Sequence, residues 1–197
     1  MVTFPDEQLQ LRIIVILLAG KAGAGKTSVA NYMIDGLPEN KVAGIAPFAM
    51  GIKTIATVVG WDNEKDEKGR KLLQQFGNAG REYNENIWVE FTMGALTNAK
   101  IPFDVIIVDD WRFPNEYEWF LDKTNIFGVY KVKINRDEHL LLNPEDTDVS
   151  ETSLPDNSEY YDFNINNIGL NEDELRAQAR FVLQNIVDKE YSLNKEE

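Results

Sequence analysis

Two continuous apolar runs dominate the chain, Ile13 to Ala19 and Phe103 to Asp109 (FDVIIVD). The first is rich in β-branched residues and too short to span a membrane, and both suit strands buried on two faces. From Thr27 the pattern turns helical, with Val29, Ala30, Met33 and Ile34 on one face. Asp35 to Pro38 reads as a turn and Lys41 to Ala46 as a short second strand. Pro47 then starts a helix whose apolar side carries Phe48, Ile52, Ile55, Ala56 and Val59. Gly60 to Gly69 is a polar connection. Arg70 to Phe76 and Asn84 to Ala99 are predicted helices, separated by a turn at Gly77-Asn-Ala-Gly80-Arg81. Residues 60–103 therefore read as a helical insertion. Pro114 introduces a helix over Asn115 to Lys123, and Ile126 to Ile134 is the next strand. Arg136 to Glu159 is polar and acidic, a loop or lid. Tyr161, Phe163 and Ile165 alternate with polar residues in a last strand. Asn171 and Glu174 form a capping-box pair. Leu175, Ala179, Val182, Leu183 and Ile186 share one face of the closing helix, and Ser192 to Glu197 reads as a frayed end. Strands alternating with helices predict a parallel sheet with right-handed crossovers and a ligand at the carboxyl ends of the strands. The expectation is a single α/β domain over 1–197.

The segment joining the first strand to the first helix, Gly20-Lys-Ala-Gly-Ala-Gly25-Lys26-Thr27, matches the P-loop pattern G-x-x-x-x-G-K-[ST]. Gly20, Gly23 and Gly25 allow backbone conformations that turn successive N–H groups onto an anion. The helix dipole points its positive end at the same spot. Lys26 is expected to reach the β- and γ-phosphates and Thr27 to ligate Mg²⁺. Gly20, Ala22, Gly23, Ala24, Gly25, Lys26, Thr27 and Ser28 are thus the candidate ATP-binding residues.

Composition narrows the partners. With 197 residues, 43% hydrophobic and 11% aromatic, the chain has material for a substantial core. A net charge of −13 disfavours stable nucleic-acid binding and an anionic membrane surface. It also means that a phosphate site must gather the chain's few cations in one cleft. There are no cysteines, hence no disulfide or thiolate metal site. The N-terminal MVTFPDEQLQ carries acids where a signal peptide has basic residues, which predicts a soluble, cytoplasmic protein.

A P-loop fixes the phosphoryl donor and leaves the acceptor open. No N-K-x-D segment reads guanine, and Asp66 to Gly69, the one D-x-x-G, follows charged residues instead of a strand. A motor or transporter ATPase needs more sequence. Asp109 and Asp110 end an apolar strand, the place of a carboxylate that holds Mg²⁺, although either could instead cap the next helix or pair with Arg112. Arg112 suits bidentate phosphate binding, with a salt bridge to Asp109 or Glu116 as the alternative. Arg81 follows the glycine turn, as a phosphate contact or a solvated arginine. Trp88 and Trp119 fit core positions, whereas Trp111 lies in the cleft motif and could touch an acceptor base. The lone histidine, His139, reads as solvated.

Several stretches, in order, resemble the phage-type deoxynucleoside monophosphate kinases, a branch of the P-loop nucleotide kinases. They are the loop at 20–27, Ala46-Pro-Phe-Ala-Met-Gly-Ile-Lys53, Leu73-Gln-Gln-Phe-Gly-Asn-Ala-Gly-Arg81 with Ile87-Trp-Val89, Asp110-Trp-Arg-Phe-Pro-Asn-Glu116, Ser150-Glu-Thr-Ser-Leu154, and Asp162-Phe-Asn-Ile-Asn-Asn-Ile-Gly169. The resemblance implies a P-loop NTPase three-layer sandwich, a parallel five-stranded sheet with helices on both faces, an acceptor-binding insertion and a short lid at 136–159. It implies transfer of the ATP γ-phosphoryl group to a deoxynucleoside 5′-monophosphate, with Mg²⁺. Lys53, Arg81 and Arg112 would face the acceptor, joined by Trp111 as a substrate-binding candidate from its place in the cleft motif. Lys26, Asp110, Arg112 and Arg136 would be catalytic, with Arg136 opening the lid. Asp137 to Glu159 contains no arginine or lysine, so Arg136 alone supplies the lid's cation in this reading. Two alternatives stand beside it: a kinase of another small metabolite, such as a dephospho-coenzyme A-like acceptor, and a non-catalytic nucleotide-binding regulatory protein. A homodimer is one option for assembly, and a phage-encoded protein would work in the host cytoplasm.

Overall fold

The computed structural model describes residues 2, 12–64, 66–137, 141 and 149–193. The expectations for His139, for residues 138–140 and 142–148 of the lid segment and for residues 194–197 lie outside these. The described chain divides into two compact units, residues 1–45 with 102–197, and residues 46–101.

The first unit holds a five-stranded sheet: β1 Ile13–Ala19, β2 Ala43–Ile45, β3 Val105–Val108, β4 Phe127–Arg136 and β5 Phe163–Asn167. Their order is β2-β3-β1-β4-β5 and every pairing is parallel. β1 is buried on both faces, as its unbroken apolar run requires. Ile14, Ile16 and Leu18 join a core with Val29, Ala30 and Met33 of helix α1 (Lys26–Ile34) and with Ala179, Leu183 and Ile186 of helix α7 (Glu172–Leu193). The predicted cap of α7 is present. Asn171 N–H donates to Glu174 Oε2 at 2.9 Å, and Glu174 N–H donates to Asn171 Oδ1 at 3.0 Å. Between β3 and β4 lies the short helix α5, Pro114–Glu118. After β4 come the single turn α6, Val149–Thr152, and a 3₁₀ turn, Ser158–Tyr160.

The second unit is helical: α2 Met50–Val58, α3 Glu67–Tyr83 and α4 Ile87–Ala99. Three expectations change here. The second helix begins at Met50, not Pro47, and Ile55 and Val59 are exposed, while Ile52 and Ala56 are buried. The polar connection ends at Asp66, whose side chain caps α3 by accepting from Gly69 N–H at 2.7 Å. The predicted turn at Gly77 to Arg81 is continuous helix. The Trp88 ring lies so close to α3 that a Cβ on Gly80 would stand 2.4 Å from it, and Trp88 Nε1 donates to Gly77 O at 3.0 Å. Those glycines serve close helix packing, which local sequence cannot distinguish from a turn.

Candidate active site

In register, Leu17 of β1 stands opposite Val108 of β3, so the P-loop and Asp109 leave neighbouring strands at the same edge of the sheet. The Thr27 hydroxyl donates to Asp109 Oδ2 at 2.6 Å. A hydroxyl and a carboxylate oxygen side by side are hard donors that suit Mg²⁺, an ion commonly held by one or two carboxylates together with substrate phosphates. Asp110 is half-buried one residue further on. Among the described residues there is no group of three or more His, Cys, Asp and Glu that could hold a metal.

The loop itself is held from β4 and β5. Gly25, at φ 99°, adopts the left-handed conformation, and a Cβ there would meet Asn167 Nδ2 at 2.9 Å. Asn167, nearly buried, donates from that nitrogen to Ala24 O at 3.0 Å. Arg136 Nη1 donates to Gly23 O at 2.6 Å. Arg136 is the last residue of β4 and braces the loop from there. The Lys26 ammonium donates to Gly20 O and, at 3.0 Å, to Lys21 O. Gly23, Ala22 and Ser28 lie in or next to the loop as expected, with Ala24 buried and Ser28 exposed on α1.

Beside the loop is a cavity of about 440 Å³. Gly20, Lys21 and Ala24 form one side, Arg112 and Trp111 another, and Lys133 and Arg136 of β4 a third. Ser150, Thr152 and Asp156 close it. Four cationic residues thus share one cavity in a chain of net charge −13. Arg112 sits on a turn fixed by Glu116, whose Oε2 accepts from the N–H groups of Arg112 at 2.9 Å and Phe113 at 3.1 Å. Oε2 of Glu116 thus serves the backbone, which is the capping arrangement of α5.

Trp111 requires a correction. Its ring is fully buried, stacked on Tyr160 at 6.1 Å and edge-on to Tyr161 at 6.0 Å, with Nε1 donating to Phe113 O at 2.8 Å. It supports the cavity wall and offers no free face to a base. Burial, with Tyr160 and Asp156 nearby, pushes the Tyr161 phenol up to about 12, and Tyr160 and Tyr117 are also raised by burial. Lys53 and Arg81 belong to the helical unit. Lys53 lies on α2 in a shallow depression with Pro47, Met50 and Thr54, and Arg81 Nη2 donates to Asn78 Oδ1 at 3.0 Å in the last turn of α3.

Sequence reasoning missed Asn167 and Lys133. Asn167 lies inside the terminal stretch that carries the family resemblance, and the alternation of Lys131 and Lys133 along β4 was a visible signal of a cationic strand face.

The fold, a parallel five-stranded sheet with the P-loop pattern between β1 and α1, is similar to that of solved structures. A gluconokinase from Sinorhizobium meliloti 1021 superposes with a TM-score of 0.52 at 12% identity, covering 92% of this chain and 98% of that one. A tunicamycin resistance protein from Deinococcus radiodurans gives 0.51 at 14%, covering 87% and 96%. In sequence, the chain is 26% identical to a provisionally named deoxynucleotide monophosphate kinase of Acanthamoeba polyphaga mimivirus, over 81% of this chain and 92% of the relative. No protein-family model matches. The resemblance that the motifs carry thus has a counterpart in a relative matched over most of its length, and the solved structures share the fold. Among the described residues, no helix is long and apolar enough to cross a membrane.

Proposed function

We propose that this chain transfers the γ-phosphoryl group of ATP to the phosphate of a deoxynucleoside 5′-monophosphate. The observation that carries this reading is the concentration of Lys21, Arg112, Lys133 and Arg136 around one cavity at the P-loop, in an otherwise strongly acidic chain. A second phosphate group there needs such a field, whereas a hydrolase needs only a water. The viral relative's name supports the acceptor class.

In this reading the P-loop N–H groups and Lys26 hold the donor phosphates. Thr27 and Asp109 are the residues that would hold Mg²⁺, whose charge offsets that of the β- and γ-phosphates. An oxygen of the acceptor phosphate bonds to the γ-phosphorus as the bond from that phosphorus to the β–γ bridging oxygen breaks, leaving ADP and the deoxynucleoside diphosphate. The acceptor oxygen is already anionic near neutral pH, so no general base is required. Arg112 neutralises and aligns the acceptor phosphate, and Arg136 keeps the loop in shape through Gly23. Lys53 and Arg81, on the helical insertion, are proposed acceptor contacts.

The test is ADP release from Mg-ATP with each of the four deoxynucleoside monophosphates and a no-acceptor control. Stimulation by at least one, abolished in Lys26→Ala, supports the kinase and reveals its base preference. ATP binding without stimulation by any of them transfers the weight to another small acceptor or to a nucleotide-binding regulator.

A further inference from the structure

Lys133 holds a position that the mechanism so far leaves unused. It stands opposite Ala19 in the β1–β4 register, level with the residue that precedes the P-loop, and its side chain lines the cavity. Its ammonium donates to the Asp156 carboxylate and to Asp156 O at 2.6 Å. The two partners are unequally solvated. The Lys133 side chain is 13% exposed, lodged near the Tyr161 ring, whereas the Asp156 side chain is fully exposed. Lys131, two residues earlier on the same strand face, is spent differently, over the rings of Tyr160 at 4.2 Å and Tyr117 at 4.6 Å.

A cation that has given up most of its water, opposite a carboxylate that has kept its own, is weakly compensated. A phosphate monoester brings a larger charge and more acceptor oxygens, and so competes well for the same ammonium. We propose that Lys133 is an exchangeable anchor for the acceptor's phosphate, and that Asp156 holds its place until the acceptor arrives. This rests on the nucleotide-kinase reading. Asp156 also belongs to the segment that closes the cavity, with Tyr161 donating to Pro155 O at 2.8 Å, so the exchange leaves that wall tied by a second bond.

Two substitutions separate an anchor from a mere tether. Lys133→Met breaks both bonds to Asp156, whereas Asp156→Ala removes the carboxylate and keeps the bond to the backbone O. A mere tether therefore shows in both variants, more strongly in Lys133→Met, and acts on KM for both nucleotides, whereas an anchor raises KM for the acceptor alone. Lys133→Met should raise KM for the best deoxynucleoside monophosphate about tenfold or more while KM for ATP stays nearly constant. Lys133→Arg should recover most of the loss, and Asp156→Ala should leave the acceptor KM unchanged or lower it. A raised acceptor KM in Asp156→Ala as well, or a matching rise in KM for ATP in Lys133→Met, overturns the proposal. A second arm does not depend on turnover: inorganic phosphate is titrated into protein saturated with a non-hydrolysable ATP analogue. Phosphate affinity that falls about tenfold in Lys133→Met and not in Asp156→Ala supports the anchor even if no deoxynucleotide is a substrate. In that case the kinase reading fails and the anion site stands. Phosphate affinity unchanged by Lys133→Met overturns the site itself.

Discussion

Arg136 and Asn167 are register partners on β4 and β5, and they donate to consecutive P-loop carbonyls, those of Gly23 and Ala24. The conformation of the phosphate-binding loop is thus imposed from two strands that come more than a hundred residues later. Asn167 is nearly buried, so its loss leaves the Ala24 carbonyl without that donor. Asn167→Ala should cost about 1–3 kcal/mol of stability, a few degrees in melting temperature, and weaken ATP binding in the same range. Thermal unfolding with and without Mg-ATP measures both. A variant of native stability and native ATP affinity would remove Asn167 from the loop's support.

This brace marks the limit of what was legible in the chain. Strand β1, the P-loop and the α7 cap are local patterns, and the structure has them where periodicity and capping chemistry put them. Ile55 and Val59 carry the same helical spacing as Ile52 and Ala56, yet the first pair faces solvent. Amphipathicity identifies a face and does not fix how much of it is covered. Gly80 reads as a turn until Trp88 is seen against it. The pairing of Asn167 with Ala24 spans 143 residues, a distance over which sequence spacing carries no geometric information.

The hydrogen bond between Thr27 and Asp109 separates two carboxylates that sequence leaves equivalent. If Asp109 is the Mg²⁺ carboxylate, Asp109→Asn should lower kcat about a hundredfold and raise the Mg²⁺ concentration needed for half-maximal rate. Asp110→Asn should have the smaller effect on that Mg²⁺ requirement. The comparison is a pair of Mg²⁺ titrations of ADP release at saturating ATP. A reversed order of the two variants would assign the metal to Asp110.

Away from the site, Glu190 is fully buried and accepts from Arg12 Nε at 2.6 Å, Arg12 Nη2 at 2.9 Å and the Tyr130 hydroxyl at 2.7 Å. Arg12 also donates to Thr124 O at 2.8 Å, so one buried carboxylate ties the start of β1 to β4 and α7. Removing one partner of such a pair leaves the other charge uncompensated. Glu190→Gln should destabilise the chain by about 3 kcal/mol, read by urea unfolding, with little change in KM for either nucleotide. A loss of activity without a loss of stability would instead point to a functional role for this cluster.

The aromatic wall of the cavity predicts an alkaline limit to stability. Burial raises the Tyr161 phenol from 10.0 to about 12, so the folded chain keeps a proton that the unfolded chain releases. Below pH 10 both states hold it, and the contribution to stability is constant. Between pH 10 and 12 the unfolded state binds fewer protons, and stability falls as pH rises, by about 1.4 kcal/mol per pH unit for each such tyrosine. Above pH 12 both states are ionised and this contribution is gone. Tyr161→Phe removes the titrating group and, with it, the hydrogen bond to Pro155 O. The variant should therefore be less stable at neutral pH yet lose stability less steeply between pH 10 and 12. Urea midpoints from pH 8 to 12 for the two proteins give both slopes, and parallel slopes would mean that Tyr161 is not held neutral by the fold.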